Sequence, residues 1–334
     1  MITVENVSKS FPGNGAPVVA LRDVNLEIGA GALYGVVGPA GAGKSTLARC
    51  VALEERPDRG AVRFDGLNAT RLEGRRLRDT RRQVAVLDPR LRTERTVAGN
   101  VALPLELGGV DGPQRRSRVG TLLDLVGLTQ RAADRPDELT AGQRQRVAVA
   151  RALAAAPAVL LADDPTHEVD SEESGAVLTV LDRARAELGV TVLLTTPDAG
   201  VARRACDEVA LLERGTVVES GNLLELLAKP HSRAGKELLP AIETTRAQAA
   251  QYDRAVDVVL VGFAAVGALL PEAAGRFDVE LATIGGGLTR VGDTPVARFR
   301  LGVRGQRADA ALAWIAERGA HVTHTLYGLR NVAA

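Results

Sequence analysis

The stretch Gly38-Pro39-Ala40-Gly41-Ala42-Gly43-Lys44-Ser45 decides the fold of this chain. It fits G-x-x-x-x-G-K-[ST] at every fixed position. Before it, Ala32-Leu33-Tyr34-Gly35-Val36-Val37 is an unbroken apolar run that predicts a buried strand. After it, Ser45-Thr46-Leu47-Ala48-Arg49-Cys50-Val51 predicts a helix. Strand, glycine-rich loop and helix in that order form a phosphate cradle. Glycines let the backbone approach the phosphates, the helix N-terminus faces their charge, and Lys44 adds a cation. Ser45 is the expected magnesium ligand. The bland alternative is a glycine-rich turn with no ligand, and the complete motif in its strand–helix context weighs against it. The motif implies a bound nucleoside triphosphate.

Composition narrows the rest. With 334 residues the chain is long enough for two domains and a sizeable core. A net charge of +1 gives no general attraction for nucleic acid. The densest basic cluster, Arg75, Arg76, Arg78, Arg81 and Arg82, is broken by Asp79, preceded by Glu73 and has no aromatic neighbour to stack a base. An exposed helix face is expected there. Cys50 and Cys206 stand far apart in apolar settings, with neither metal nor disulfide spacing, which suits a reducing cytoplasm. Met1-Ile2-Thr3-Val4-Glu5-Asn6 lacks the order of a signal peptide, and the longest apolar run, 258–270, falls short of the roughly 18 residues of a spanning helix. A soluble chain is expected, with any membrane role supplied by partners.

Apolar strands and helical stretches alternate through the first two thirds, as in α/β proteins. Strands are expected at 2–4, 24–28, 32–37, 61–64, 84–87, 158–162, 190–194 and 209–212. Helices are expected at 115–126 and 143–155, and a hairpin turning at Arg214-Gly215 closes the unit. Residues 238–253 predict a polar helical linker. Beyond it, strands at 257–263, 279–289, 296–303 and 320–327 and helices at 269–276 and 308–318 spell β-α-β-β-α-β, the ferredoxin-like order. Trp314 and Leu312 are expected to face its core.

Leu139-Thr140-Ala141-Gly142-Gln143, followed by a helix rich in Gln, Arg and Ala, resembles the ABC-type ATPase signature. Val159-Leu160-Leu161-Ala162-Asp163-Asp164 is similar to the family's second nucleotide motif. Tyr34–Gly38, 49–57 and 100–107 resemble the ATP-binding subunit of methionine importers, and the C-terminal unit resembles its ACT-like regulatory domain. The likeness covers nearly the whole chain. It implies a P-loop ABC-type nucleotide-binding domain over 1–237, the linker over 238–253, and a small α+β ferredoxin-like, ACT-like domain over 254–330. It implies ATP and magnesium as cofactors. Phe11 would stack on adenine, Gly38, Pro39, Ala40, Gly41, Ala42, Gly43, Lys44, Ser45 and Thr46 would cradle phosphate, and Thr140, Ala141, Gly142 and Gln143 would grip the triphosphate of a second subunit. Ser45 and Asp163 would hold magnesium, and Asp164 and Asp170 would serve catalysis. Implied partners are a second nucleotide-binding subunit, identical or not, membrane permease subunits docking near 100–107, through them a substrate-binding protein, and methionine at the C-terminal domain. No nucleic acid is implied, and the location is peripheral, on the cytoplasmic face of the membrane.

Several positions depart from that pattern. Asp164 stands where the family has a water-activating glutamate, one methylene longer. Pro197 replaces a histidine that contacts the γ-phosphate, and Asp198 after it has the wrong sign for a phosphate. Asp88-Pro89-Arg90-Leu91-Arg92 lacks the expected loop glutamine. Ala141 adds a methyl where glycine allows close approach. Thr166-His167-Glu168-Val169 departs before the retained Asp170, with His167 expected at the surface or interface. The ligand strand 279–287 lacks the family's asparagines. ATP binding with slow hydrolysis is expected. The alternative is a non-hydrolytic regulatory or structural subunit that clamps an ABC dimer.

Overall fold

The computed structural model describes residues 1–334 apart from Asn14, Pro230, His231 and residues 325–334. The chain divides into two compact units, Met1–Ser220 and Gly221–Ala334.

In the first unit, the order is β1 (Ile2–Phe11), β2 (Val18–Ile28), β3 (Leu33–Val37), α1 (Lys44–Val51), β4 (Arg59–Phe64), β5 (Leu67–Asn68), α2 (Gly74–Arg81), β6 (Val84–Val86), α3 (Val97–Leu107), α4 (Gly112–Leu125) and α5 (Ala141–Leu153). It continues with β7 (Val159–Asp163), α6 (Ser171–Leu188), β8 (Thr191–Thr196), α7 (Ala199–Ala205), β9 (Glu208–Glu213) and β10 (Thr216–Asn222). A six-stranded sheet has the order β10-β9-β3-β8-β7-β6, with β9, β3, β8, β7 and β6 parallel. All five residues of β3 are buried, as a parallel strand covered on both faces requires. A second, antiparallel sheet runs β2-β1-β4-β5.

β1 and β2 are longer than the sequence predicts. Apart from the buried Val7, residues 5–10 are polar and form no apolar run, yet the strand pairs with β2 as far as Phe11 opposite Val18, through several register shifts. Tertiary pairing overrides local pattern there. The arginine-rich segment forms α2, which has no buried residue, as expected of a solvated face.

The second unit holds α8 (Leu223–Ala228), α9 (Arg233–Leu238), α10 (Arg246–Ala249), β11 (Arg254–Val261), α11 (Phe263–Val266), α12 (Leu269–Phe277), β12 (Glu280–Val291), β13 (Thr294–Arg304), α13 (Ala308–Ala316) and β14 (Ala320–His324). Its sheet order, β12-β13-β11-β14, is antiparallel throughout, in the β-α-β-β-α-β connection that the sequence predicts. Residues 325–327 of the last predicted strand, and the end of the domain expected to run to 330, lie outside the described residues. Leu312 is buried and Trp314 packs against the same core, edge-on to Phe277. The division at residue 220 lies upstream of the expected 237, and α8 and α9 belong to this unit: Arg298 donates to the Gly235 carbonyl at 3.1 Å.

The helical linker over 238–253 is corrected. Beyond Leu238, where α9 ends, only the four residues of α10 are helical, and the segment before them lies on β12. Thr244 Oγ1 donates to the Ile284 carbonyl at 3.0 Å. Gly285 and Gly287 make the room: a Cβ at Gly285 would lie 2.3 Å from Thr244 Oγ1, and one at Gly287 3.5 Å from the Pro240 ring. Packing on a side-chain-free strand face wins over helical propensity. Among the described residues, no helix is long and apolar enough to cross a membrane.

Candidate nucleotide-binding site

The parallel register sets Val37 beside Thr196, and Asp163 beside Thr195. The ends of β3, β7 and β8 therefore meet at the carboxyl edge of the sheet, where open α/β folds place their ligands. The loop 38–43 leaves β3 and is anchored there: Gly38 N–H donates to the Thr196 carbonyl at 3.4 Å, and Ala42 carbonyl accepts Gly215 N–H at 2.8 Å. A Cβ on Gly38 would sit 2.1 Å from the Leu212 carbonyl oxygen, so no other residue fits without shifting backbone. Gly43 has φ +106° and is the N-cap of α1. A glycine cap offers no side-chain acceptor, which leaves the first-turn N–H groups of Lys44, Ser45 and Thr46 for a ligand.

Lys44 is buried, and its ammonium donates to the carbonyls of Gly38 at 2.7 Å and Pro39 at 3.0 Å. Burial pulls its pKa below the ordinary lysine value, while Asp164 and Asp163 oppose that shift. Ser45 is exposed and Thr46 is buried in the same turn. Asp163 ends β7 with an exposed carboxylate held by the Thr195 hydroxyl. Asp163 and Ser45 offer hard oxygen donors of the kind magnesium takes, and an oriented carboxylate beside a phosphate cradle fits that ion.

Asp164 follows in the left-handed region, φ +47°, with its N–H on the Thr195 carbonyl at 2.9 Å. Desolvation raises its pKa, with His167 and Lys44 acting against the rise and Asp163 and Asp198 adding to it. A carboxyl of raised pKa in a strained backbone is a familiar mark of functional positions. Pro197, directly after the end of β8, brings no side-chain donor. Asp198 is committed elsewhere, capping α7 through Gly200 N–H at 2.6 Å. Exposed His167 lies 3.8 Å from the Asp164 carboxylate, at the surface as its sequence context predicts. Asp88 is chelated by its own loop, with Arg90 Nε at 2.8 Å and Nη2 at 3.2 Å.

The other predicted residues lie on other elements. Phe11 ends β1, half-buried, with Lys9 Nζ 5.3 Å from its ring centroid. Thr140 caps α5 in a capping box with Gln143, and Ala141 and Gly142 open the helix. Among the described residues, no hydrogen bond links this signature to the P-loop; it is held by Glu173 of α6. Asp170 caps α6 through Glu173 N–H at 2.8 Å. Sequence reasoning missed Thr195 and Glu173. A threonine closing a buried strand beside a motif aspartate could have signalled the first; a helical glutamate carries no local signal for the second.

The ABC transporter family matches residues 21–167, and the NIL domain family matches 254–324. A methionine import ATP-binding protein of Thermobifida fusca is 42% identical over 320 residues, 95% of this chain and 98% of that protein. One from Myxococcus xanthus is 42% identical over 324 residues, covering 96% and 97%. Among solved structures, a dimeric ATP-binding cassette in a post-hydrolysis state with ADP and Pi is 33% identical, with TM-score 0.60 over 66% of this chain and 98% of that one. A part of the cbiONQ ABC transporter complex from Clostridium perfringens matches with TM-score 0.63 at 26% identity over 68% and 90%. Fold and site together are those of an ATP-binding cassette ATPase, and the chain belongs to the ABC transporter family. Within it, relatives matched over nearly their whole length set the chain among the methionine import ATP-binding proteins, and this chain carries both a cassette and a NIL domain.

Proposed function

We propose that the chain is the energy-coupling subunit of an importer for methionine or a related amino acid, and that it binds ATP firmly but hydrolyses it slowly. One observation carries this reading: an intact phosphate cradle and an oriented Asp163 share a sheet edge with Asp164 and Pro197. The first pair of features binds and neutralises the triphosphate. The second handles water, with a shorter carboxylate and no donor at position 197. Phosphoryl transfer depends on positioning and charge stabilisation, and a misplacement of about 1 Å costs on the order of 10²-fold.

In this reading the first unit carries nucleotide and magnesium, with Phe11 on the adenine and the signature 140–143 gripping the triphosphate of a second subunit. Permease subunits dock against α3 where Leu103, Pro104 and Leu107 line a groove with Arg81 and Arg151. Leu107 is 82% exposed there, an apolar side chain available to a partner. A substrate-binding protein acts through the permease, the chain sits peripherally on the cytoplasmic face, and residues 254–330 are the candidate place for free methionine, in a domain whose strand 279–287 lacks the family's asparagines.

The test is calorimetric titration with ATP and magnesium, in which Lys44→Ala should lose most of the affinity, followed by turnover of the reconstituted complex. Asp164→Glu with Pro197→His should raise turnover by about 10²-fold or more. Ordinary transporter turnover by the native chain would overturn slow hydrolysis. The second reading, a non-hydrolytic clamp, is favoured by the same two positions together with the self-chelated Asp88. No gain in the double variant would select it.

A further inference from the structure

Donors of the signature at Thr140, Gly142 and Gln143 are engaged within this chain. Thr140 Oγ1 accepts Gln143 N–H at 3.2 Å, and Gln143 Oε1 accepts Thr140 N–H at 3.0 Å. The hydroxyl's single proton then goes to Glu173 Oε1. The other oxygen of that carboxylate, Oε2, accepts Gly142 N–H at 3.0 Å. One carboxylate thus takes both the signature hydroxyl and a first-turn N–H of α5. The fit is close: a Cβ on Gly142 would lie 2.6 Å from Glu173 Cβ. Glu173 is itself tied to the segment before α6, since its N–H donates to Asp170 Oδ1 at 2.8 Å.

A carboxylate and a phosphoryl group present the same chemistry to these donors: anionic oxygens accepting charge-assisted hydrogen bonds at a helix N-terminus. They cannot occupy the donors together, and two anions brought there repel. We infer that Glu173 is an internal stand-in for phosphate that holds the signature closed to nucleotide and must swing away before two subunits close on ATP. This rests on the reading that the signature grips a second subunit's triphosphate. Glu173 sets a threshold on closure, and because Asp170 shares its helix start, its release couples to the loop leading into α6.

The test uses the full chain with ATP and magnesium, following dimerisation by analytical ultracentrifugation and ATP affinity separately at protein concentrations too dilute to dimerise. Glu173→Ala should dimerise at about tenfold lower ATP, with the affinity of the single subunit unchanged. Glu173→Gln keeps the shape and removes the charge, so it should shift the midpoint the same way by less. It also covers the case in which the alanine variant misfolds. Glu172→Ala, an exposed neighbour of equal charge, should leave the midpoint in place. An unchanged midpoint in both Glu173 variants, or an equal shift in Glu172→Ala, overturns the inference while native ATP-driven dimerisation leaves the clamp standing. Absence of ATP-driven dimers in every chain overturns the dimer reading and the inference with it.

Discussion

Thr195 reaches both carboxylate residues at the end of β7. Its hydroxyl donates to the Asp163 side chain, and its carbonyl accepts Asp164 N–H at 2.9 Å. One residue of β8 thereby orients a metal-type ligand and fixes the backbone of its neighbour. Supporting hydrogen bonds of this kind commonly govern metal affinity by about 10–100-fold. Thr195→Val should therefore raise the magnesium concentration needed for ATP binding by about tenfold. Thr195→Ser should restore it. Magnesium titrations at fixed ATP provide the check.

Asp164 supplies a pH test. Its folded pKa is raised, chiefly by desolvation, so the folded state binds its proton more readily than the unfolded chain does. The stability contributed by protonation is complete below the unfolded value and is lost as pH rises through the folded one. At pH 7 the ionised group is a net burden. Asp164→Asn should therefore raise the melting temperature at pH 7, and that gain should fade as pH drops through the raised folded pKa. A melting series across that window reads it directly.

Gly38→Ala puts a methyl 2.1 Å from the Leu212 carbonyl oxygen, a backbone atom that cannot turn aside. The loop must move, and N–H groups displaced by about 1 Å lose their aim at phosphate. ATP affinity should fall by at least about tenfold while the circular dichroism spectrum stays native.

In the C-terminal unit, Gly285→Ala meets Thr244 Oγ1 at 2.3 Å and the Glu243 carbonyl at 2.9 Å. Overpacking of this kind costs about 1–3 kcal/mol. Urea unfolding followed at Trp314 should show the loss, and Thr244→Gly should return part of it.

The half-buried pair Asp257–Arg300, bidentate at 2.7 and 2.9 Å, gives a final comparison. Arg300→Met should destabilise by about 2 kcal/mol, since partial exposure tempers the usual cost of stranding one partner. Asp257→Asn added to it should recover much of that loss in the same unfolding assay.

Local pattern carried a large part of this protein. An apolar run, a glycine loop with Lys44 and Ser45, and an aspartate closing a second apolar run are short-range features, and their chemistry follows from residue type and spacing. The β-α-β-β-α-β order was legible for the same reason, because each element is periodic. The polar half of β1 was not, since pairing with β2 rather than its own side chains makes it a strand. The segment expected as a helical linker was misjudged because Gly285 and Gly287, more than forty positions on, provide the surface it lies against.

By itself, then, the sequence determined the cassette, its phosphate cradle and the loss of a donor at Pro197, all properties of contiguous residues. The tertiary structure alone decided that Thr195 steadies Asp163, that desolvation raises the Asp164 pKa, and that Glu173 occupies the donors of Thr140 and Gly142. The first and the last join residues about 30 positions apart, brought together by parallel strand register or by packing of α5 on α6, and the second follows from burial. Hydrogen bonding and desolvation act over a few ångströms in space, whatever the separation along the chain.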